Sequence, residues 1–214
     1  MIKDIDYSLY LVTDSGLCRG RDLNRVVLDA VGGGVSMVQI REKNSTAGEF
    51  LSTARTLKKN LSDYGVPLII NDRVDVAMAA GAHGVHVGQE DLPYQVVREM
   101  LGPDKIIGVS INTFDQLWQA SLTDVDYLSL SPVFPTQTKA DIKEPFGLEG
   151  LKKARAMTDK PLITIGGVNR DNLADIMATG MDGVALVSAV CSADSPADAA
   201  RELVRIIRDN KMRI

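Results

Sequence analysis

Short apolar, β-branched runs alternate along the chain with longer amphipathic stretches, the pattern of repeated strand–helix units that build a parallel sheet. Eight such runs stand out: Tyr7–Val12, Met37–Ile40, Leu68–Ile70, Gly84–Val87, Ile106–Val109, Tyr127–Leu130, Leu162–Ile165 and Gly183–Leu186. Between them lie helix-forming stretches of roughly ten to twenty residues, such as Ala47–Tyr64 and Pro93–Leu101. Gly34, Gly81 and Gly180 each close such a stretch, and a strand valine follows four residues later at Val38, Val85 and Val184. A helix that ends in left-handed backbone calls for glycine at that point, so the echo marks repetition of one structural unit.

Eight units with this echo predict an α/β fold, a closed (β/α)8 TIM barrel, in preference to an open doubly wound sheet. No GxGxxG follows the first strand, which counts against a dinucleotide site. The 214 residues run without a Pro/Gly/Ser-rich linker, so the expectation is one domain over 1–214.

Composition then narrows the function classes. Hydrophobic residues make up 45% and charged residues 24% of the chain, as in an ordinary soluble α/β protein. No apolar run approaches the ~20 residues of a membrane span. The opening Met1-Ile2-Lys3-Asp4-Ile5-Asp6 carries acids where a signal peptide has a basic and then an apolar stretch. A cytoplasmic protein without a membrane partner is expected. A net charge of −4 argues against nucleic acid, so any anionic ligand must meet a local basic cluster. Cys18 and Cys191 lack CxxC spacing and read as free thiols. His83 and His86 are three residues apart on a predicted strand and face opposite ways, which excludes a metal pair.

In a parallel barrel the chemistry gathers just beyond the strand C-termini. After the second run, Gln39, Arg41 and Lys43 alternate at spacing two. On a continuing strand all three would face the barrel mouth, where two cations and an amide make a clamp for a polyanion. The competing reading is a surface salt-bridge ladder with Glu42 and neighbouring acids. After the third and fourth runs stand Asn71-Asp72 and Asp91. These can cap the following helices. Asp72 and Asp91 can also share one Mg²⁺, which takes one or two carboxylates together with water and phosphate oxygens. After the fifth run, Ser110 can donate to a phosphate oxygen or open a turn. The stretch from Ser131 to Lys139 is stiffened by Pro132 and Pro135, and Thr136, Thr138 and Lys139 make it a donor-rich hook. After the last two runs come Gly166-Gly167 and Val187-Ser188, where backbone N–H groups can bind a phosphate. A tight turn is the plainer use of that glycine pair. The pattern therefore places two anion sites across one barrel mouth.

The blocks Tyr10-Leu11-Val12-Thr13-Asp14, Gln39-Ile40-Arg41-Glu42-Lys43, Asn71-Asp72, Gly84 to Asp91, Gly108-Val109-Ser110, Pro135 to Lys139 and Ile165-Gly166-Gly167 stand in an order that resembles the thiamine phosphate synthase family over nearly the whole chain. The resemblance implies joining of 4-amino-5-hydroxymethyl-2-methylpyrimidine diphosphate to hydroxyethyl-thiazole phosphate, with Mg²⁺ as cofactor. Thiamine phosphate and diphosphate would be the products. It implies that Gln39, Arg41, Lys43, Asn71, Ser110 and Lys139 surround the pyrimidine diphosphate and that Asp72 and Asp91 hold the metal. Thr136, Thr138, Gly167, Val187 and Ser188 would contact the thiazole phosphate. Arg41, Lys43, Ser110 and Lys139 would carry the catalysis.

Two positions depart from the family pattern. Ser131 stands where glycine is usual before Pro132, and Ile111-Asn112-Thr113 lacks a common histidine. Rival readings are a barrel that isomerises a thiazole phosphate without coupling it, a phosphosugar isomerase or Schiff-base aldolase, and a non-catalytic binder of a phosphorylated metabolite. The first has no need of a diphosphate clamp, the aldolase wants its lysine on a strand in an apolar pocket, and the last has no use for paired metal carboxylates. The oligomeric state is left open, a homo-oligomer included.

Overall fold

The computed structural model describes residues 5–135 and 144–211. Strands β1 (Leu9–Val12), β2 (Met37–Ile40), β3 (Leu68–Asn71), β4 (Gly84–Val87), β5 (Ile106–Ile111), β6 (Tyr127–Leu130), β7 (Leu162–Thr164) and β8 (Gly183–Leu186) are parallel and close into a barrel in sequence order. Helices α1 (Leu23–Gly32), α2 (Ala47–Ser62), α3 (Val74–Ala80), α4 (Tyr94–Leu101), α5 (Phe114–Ser121), α6 (Gly147–Arg155), α7 (Leu173–Met177), α8 (Ser188–Cys191) and α9 (Pro196–Lys211) complete the units. The expected barrel is therefore present. No helix among the described residues is long and apolar enough to cross a membrane.

The outer layer follows from helical periodicity. In α2 a capping box of Thr46 and Glu49 satisfies the first-turn N–H groups, and Phe50, Ala54, Leu57 and Leu61 line one buried face. Gly81 ends α3 at φ 63°, its N–H bonded to Ala77 and Met78 carbonyls. Gly34 and Gly180 also have positive φ, so the glycine echo marks equivalent turns.

Alternation along the strands separates two cores. Leu9, Leu11, Val38, Ile40, Leu68, Ile70, Val85, Val87, Leu128 and Leu130 face outward and pack under the helices. Tyr10, Val12, Met37, Ile69, Ile106, Tyr127, Ile163 and Ala185 face the barrel axis. Read toward the C-terminal end, the inward positions turn polar: Met37 gives way to Gln39, Ile69 to Asn71, and Ile106 to Gly108 and Ser110. This gradient seals one end of the barrel and leaves the other able to hold a polar ligand.

Four strand ends differ from expectation, the first being β3, which runs one residue further, to Asn71. β1 begins at Leu9 rather than Tyr7, and Asp6 Oδ1 takes the Ser8 N–H just ahead of it. Ser110↔Ser129 and Ile111↔Leu130 pair with β6, so β5 runs past Val109 and carries Ser110 within the strand. β7 stops at Thr164, and Gly166 and Gly167 follow with φ of 95° and 74°.

At the opposite rim a basic clamp recurs. Arg98 binds Asp126, whose Oδ2 accepts the N–H of Ile107 at the start of β5. Arg155 binds Asp182, whose Oδ2 accepts the N–H of Leu162 at the start of β7. These two units thus share an anchor that the spacing of glycines did not reveal. His83 lies just before β4, where its Nδ1 accepts the Leu68 N–H at 2.8 Å. Burial first, then nearby Lys58 and Lys105, lower its pKa from 6.5 to about 4. Between those values the unfolded chain binds a proton that the folded protein refuses, so stability should fall as pH drops from 6.5 toward 4. Denaturant titrations across this range should show a shallower slope for His83→Gln; an unchanged slope would acquit His83.

Candidate active site

At the polar end of the barrel lies a cavity of about 290 Å³, lined from six of the eight strands by Tyr10, Gln39, Arg41, Asn71, His86, Ser110 and Ser129, and from the last turns by Gly166, Gly167, Val187 and Ser188. Gln39, Arg41, Asn71 and Ser110 thus share one cavity with Gly167, Val187 and Ser188, whereas Lys43, Asp72 and Asp91 are not among its lining residues. Gln39 and Arg41 share its wall, as alternation required, although β2 itself ends at Ile40. Thr13 holds this turn: its N–H reaches Gln39 O at 2.9 Å and its Oγ1 accepts the Arg41 N–H at 3.1 Å.

Lys43 stands outside the cavity on the rim, in an ion pair with Asp72. Of the salt-bridge ladder with Glu42 and neighbouring acids, the Lys43–Asp72 pair forms, and Glu42 takes no part among the described residues. Glu42 accepts from Ser15 and Ser45 hydroxyls, and its Oε1 is buried without a partner.

Neither acid caps a helix. Arg73 occupies the N-cap of α3 and Pro93 that of α4, both without a side-chain cap bond. Asp72 has φ 61°, a left-handed conformation uncommon outside glycine, and its N–H bonds His86 O at 2.8 Å. Asp91 Oδ2 accepts the Gly88 N–H at 2.7 Å. The Asp72 carboxyl group lies close enough to act on that of Asp91. Burial raises the Asp91 pKa, and the neighbouring Asp72 raises it further against the downward pull of Gly88 N–H. Two acids forced together in this way are what a hard divalent cation relieves, so the donor set fits Mg²⁺. Among the described residues no group of three or more His, Cys, Asp or Glu is available, so water and ligand oxygens would complete the shell.

Gly167 answers two demands, its positive φ and a close neighbour: a Cβ there would lie 2.7 Å from Phe134 Cβ. The glycine pair thus packs the turn after β7 onto the segment after β6, with Val133 and Phe134 N–H groups bonded to Gly166 O. Val187 and Ser188 open the short α8 at the cavity edge. Arg21 braces the far side through Cys18, Cys191 and Ala193 carbonyls. Cys18 and Cys191 are free and buried, and burial raises Cys191 to about 12. The two departures from the family pattern are neighbours: Asn112 Nδ2 donates to Ser131 O at 2.7 Å, and Ser131 lines the cavity ahead of a cis peptide to Pro132. Thr136, Thr138 and Lys139 lie outside the described residues.

Sequence reasoning missed Tyr10, Thr13, Asp14, His86, Ser129 and Asn169 as cavity residues. The signal for His86 was present, since the alternation that excluded a pair with His83 also turned it inward.

Comparison with known proteins agrees with this geometry. The family model described as thiamine monophosphate synthase matches residues 9–190. The thiamine-phosphate synthase of Syntrophomonas wolfei is 49% identical over 205 residues, covering 96% of this chain and 98% of that protein. That of Vibrio parahaemolyticus is 48% identical over 204 residues, covering 94% and 98%. The solved thiamine phosphate pyrophosphorylase of Pyrococcus furiosus superposes with a TM-score of 0.89 at 35% identity, covering 97% of this chain and 98% of that one. The chain belongs to the thiamine monophosphate synthase family, a family of transferases.

Proposed function

We propose that the protein couples 4-amino-5-hydroxymethyl-2-methylpyrimidine diphosphate with hydroxyethyl-thiazole phosphate in a Mg²⁺-dependent substitution that yields thiamine phosphate and diphosphate. The observation that carries the reading is the meeting of Lys43, Asp72 and Asp91 on the rim, beside a cavity with Arg41 and Asn71 on one wall and the Gly166–Gly167 and Ser188 turns on another. A diphosphate and a monophosphate can then face each other across one mouth.

The carbon–oxygen bond to the diphosphate breaks with its electron pair leaving on oxygen. The aminopyrimidine delocalises the positive charge left on its methylene, and the thiazole nitrogen lone pair closes the new carbon–nitrogen bond. No protein nucleophile takes part, so catalysis rests on positioning and electrostatics. Arg41 and Lys43 neutralise the departing anion, Arg41 through its planar fork. When bound by Asp72 and Asp91, Mg²⁺ supplies further charge neutralisation on the leaving group. Gln39 spends its Nε2 on Tyr10 OH at 2.7 Å. Its carbonyl is left for the substrate, an acceptor matched to an exocyclic amine. Asn71 and Ser110 offer donors, and Val12, Ile165, Leu186 and Val187 give an apolar wall that keeps water from the cation. Gly167, Val187 and Ser188 are assigned to the thiazole phosphate. Thr136, Thr138 and Lys139 receive their roles from the resemblance alone.

The test is to mix both substrates with Mg²⁺ and follow products by mass. Equimolar thiamine phosphate and diphosphate are expected. An isomerised thiazole phosphate without diphosphate release would overturn the reading.

A further inference from the structure

The inward-facing polar groups form one continuous line through the barrel. Gln39 Nε2 donates to Tyr10 OH at 2.7 Å, Tyr10 OH meets Tyr127 OH at 2.9 Å, Tyr127 OH meets His86 Nδ1 at 2.9 Å, and His86 Nε2 meets Ser110 Oγ at 2.9 Å. Tyr10 and Tyr127 are fully buried, so bulk water cannot substitute for a missing partner. The barrel is built around Tyr127: a Cβ on Gly108 would sit 2.0 Å from its ring, so glycine at that inward position of β5 admits it.

Proton counting gives this line a direction. Gln39 Nε2 can only donate, so the acceptor for the buried Tyr10 proton is Tyr127 OH. The Tyr127 proton then goes to His86 Nδ1, which must be the unprotonated nitrogen. His86 therefore carries its proton on Nε2 and donates it to Ser110 Oγ. A protonated Nε2 cannot accept the Ser110 proton, which is left for the cavity that Ser110 lines.

We propose that Tyr127 is a positioning residue. Together with Tyr10 it locks the His86 tautomer and makes the Ser110 hydroxyl a hydrogen-bond donor toward the bound anion. The second half rests on the reading that Ser110 faces the diphosphate substrate; the first half does not.

Two measurements separate them. The chain has two histidines, so ¹⁵N spectra of histidine-labelled protein with His83→Gln as the assignment control read the His86 tautomer directly. A proton on Nε2 is expected. A proton on Nδ1 reverses the line and overturns the proposal, whatever the protein's activity. Kinetically, Tyr127→Phe should lower kcat/KM for the pyrimidine substrate about tenfold, the scale of one net hydrogen bond. In a Ser110→Ala background the same change should cost less than about twofold, because the hydroxyl it orients is gone. Equal losses in both backgrounds would make Tyr127 a packing residue. Should Tyr127→Phe fail to fold, Tyr10→Phe cuts the same line one step earlier and carries the same expectation. Absence of coupling activity in the wild type would refute the functional reading and leave the tautomer result standing on its own.

Discussion

Asp91→Ala is expected to lower Mg²⁺-dependent turnover by roughly a thousandfold or more, the scale of losing a key electrostatic stabiliser of a leaving group. The variant removes one of the two carboxylates that meet on the rim and leaves Asp72 tied to Lys43. The fold should survive. Asp91 is half-buried at the strand C-terminal end, and its structural work is one hydrogen bond to Gly88 N–H, so a stability loss of about 1 kcal/mol is anticipated. Steady-state rates across a Mg²⁺ titration, with thermal unfolding as the control, check both parts. Full activity at ordinary Mg²⁺ would remove Asp91 from the site.

Arg41→Ala should lower kcat/KM for the pyrimidine diphosphate by about 10²–10³-fold. Arg41→Lys should recover little, because a point charge does not reproduce two parallel hydrogen bonds to an oxyanion. Thr13 Oγ1 fixes the Arg41 backbone, so the side chain starts from a set position on the cavity wall. The KM for the thiazole phosphate should barely move, since the proposed function assigns that substrate to Gly167 and Ser188. Restoration by lysine, or a loss confined to the thiazole KM, would mean that Arg41 does not grip the diphosphate.

The barrel was legible because its strands report their own alternation. Val38, Ile40, Leu68 and Ile70 bury outward while Met37, Gln39, Ile69 and Asn71 face the axis, and this period needs no knowledge of distant segments. Strand ends were less legible. Whether β5 stops at Val109 or runs on to Ile111 depends on pairing with β6, a contact between residues about twenty positions apart. The same reason hid the recurring Arg98–Asp126 and Arg155–Asp182 clamps.

Within the site, types and loops could be named from the sequence, but not who touches whom. Lys43 read as facing the barrel mouth with Gln39 and Arg41; it pairs instead with Asp72, outside the cavity that the other two line. Asp72 and Asp91 also read as helix caps, and only the structure shows Arg73 and Pro93 at those N-cap positions instead. His86 was set aside with the discarded metal pair, although alternation along β4 turns it toward the barrel axis. Its connection to Ser110 and Tyr127 required the closed barrel, which brings β4, β5 and β6 side by side.

The claim on which the rest depends is that the bases after β2 and the acids after β3 and β4 act together on a metal-bound diphosphate. Isothermal titration of the wild-type protein with inorganic diphosphate, with and without Mg²⁺, addresses it directly. Binding at least about tenfold tighter with Mg²⁺, with the same factor appearing when Mg²⁺ is titrated in the presence of diphosphate, is expected. Equal diphosphate affinity in both conditions would contradict it.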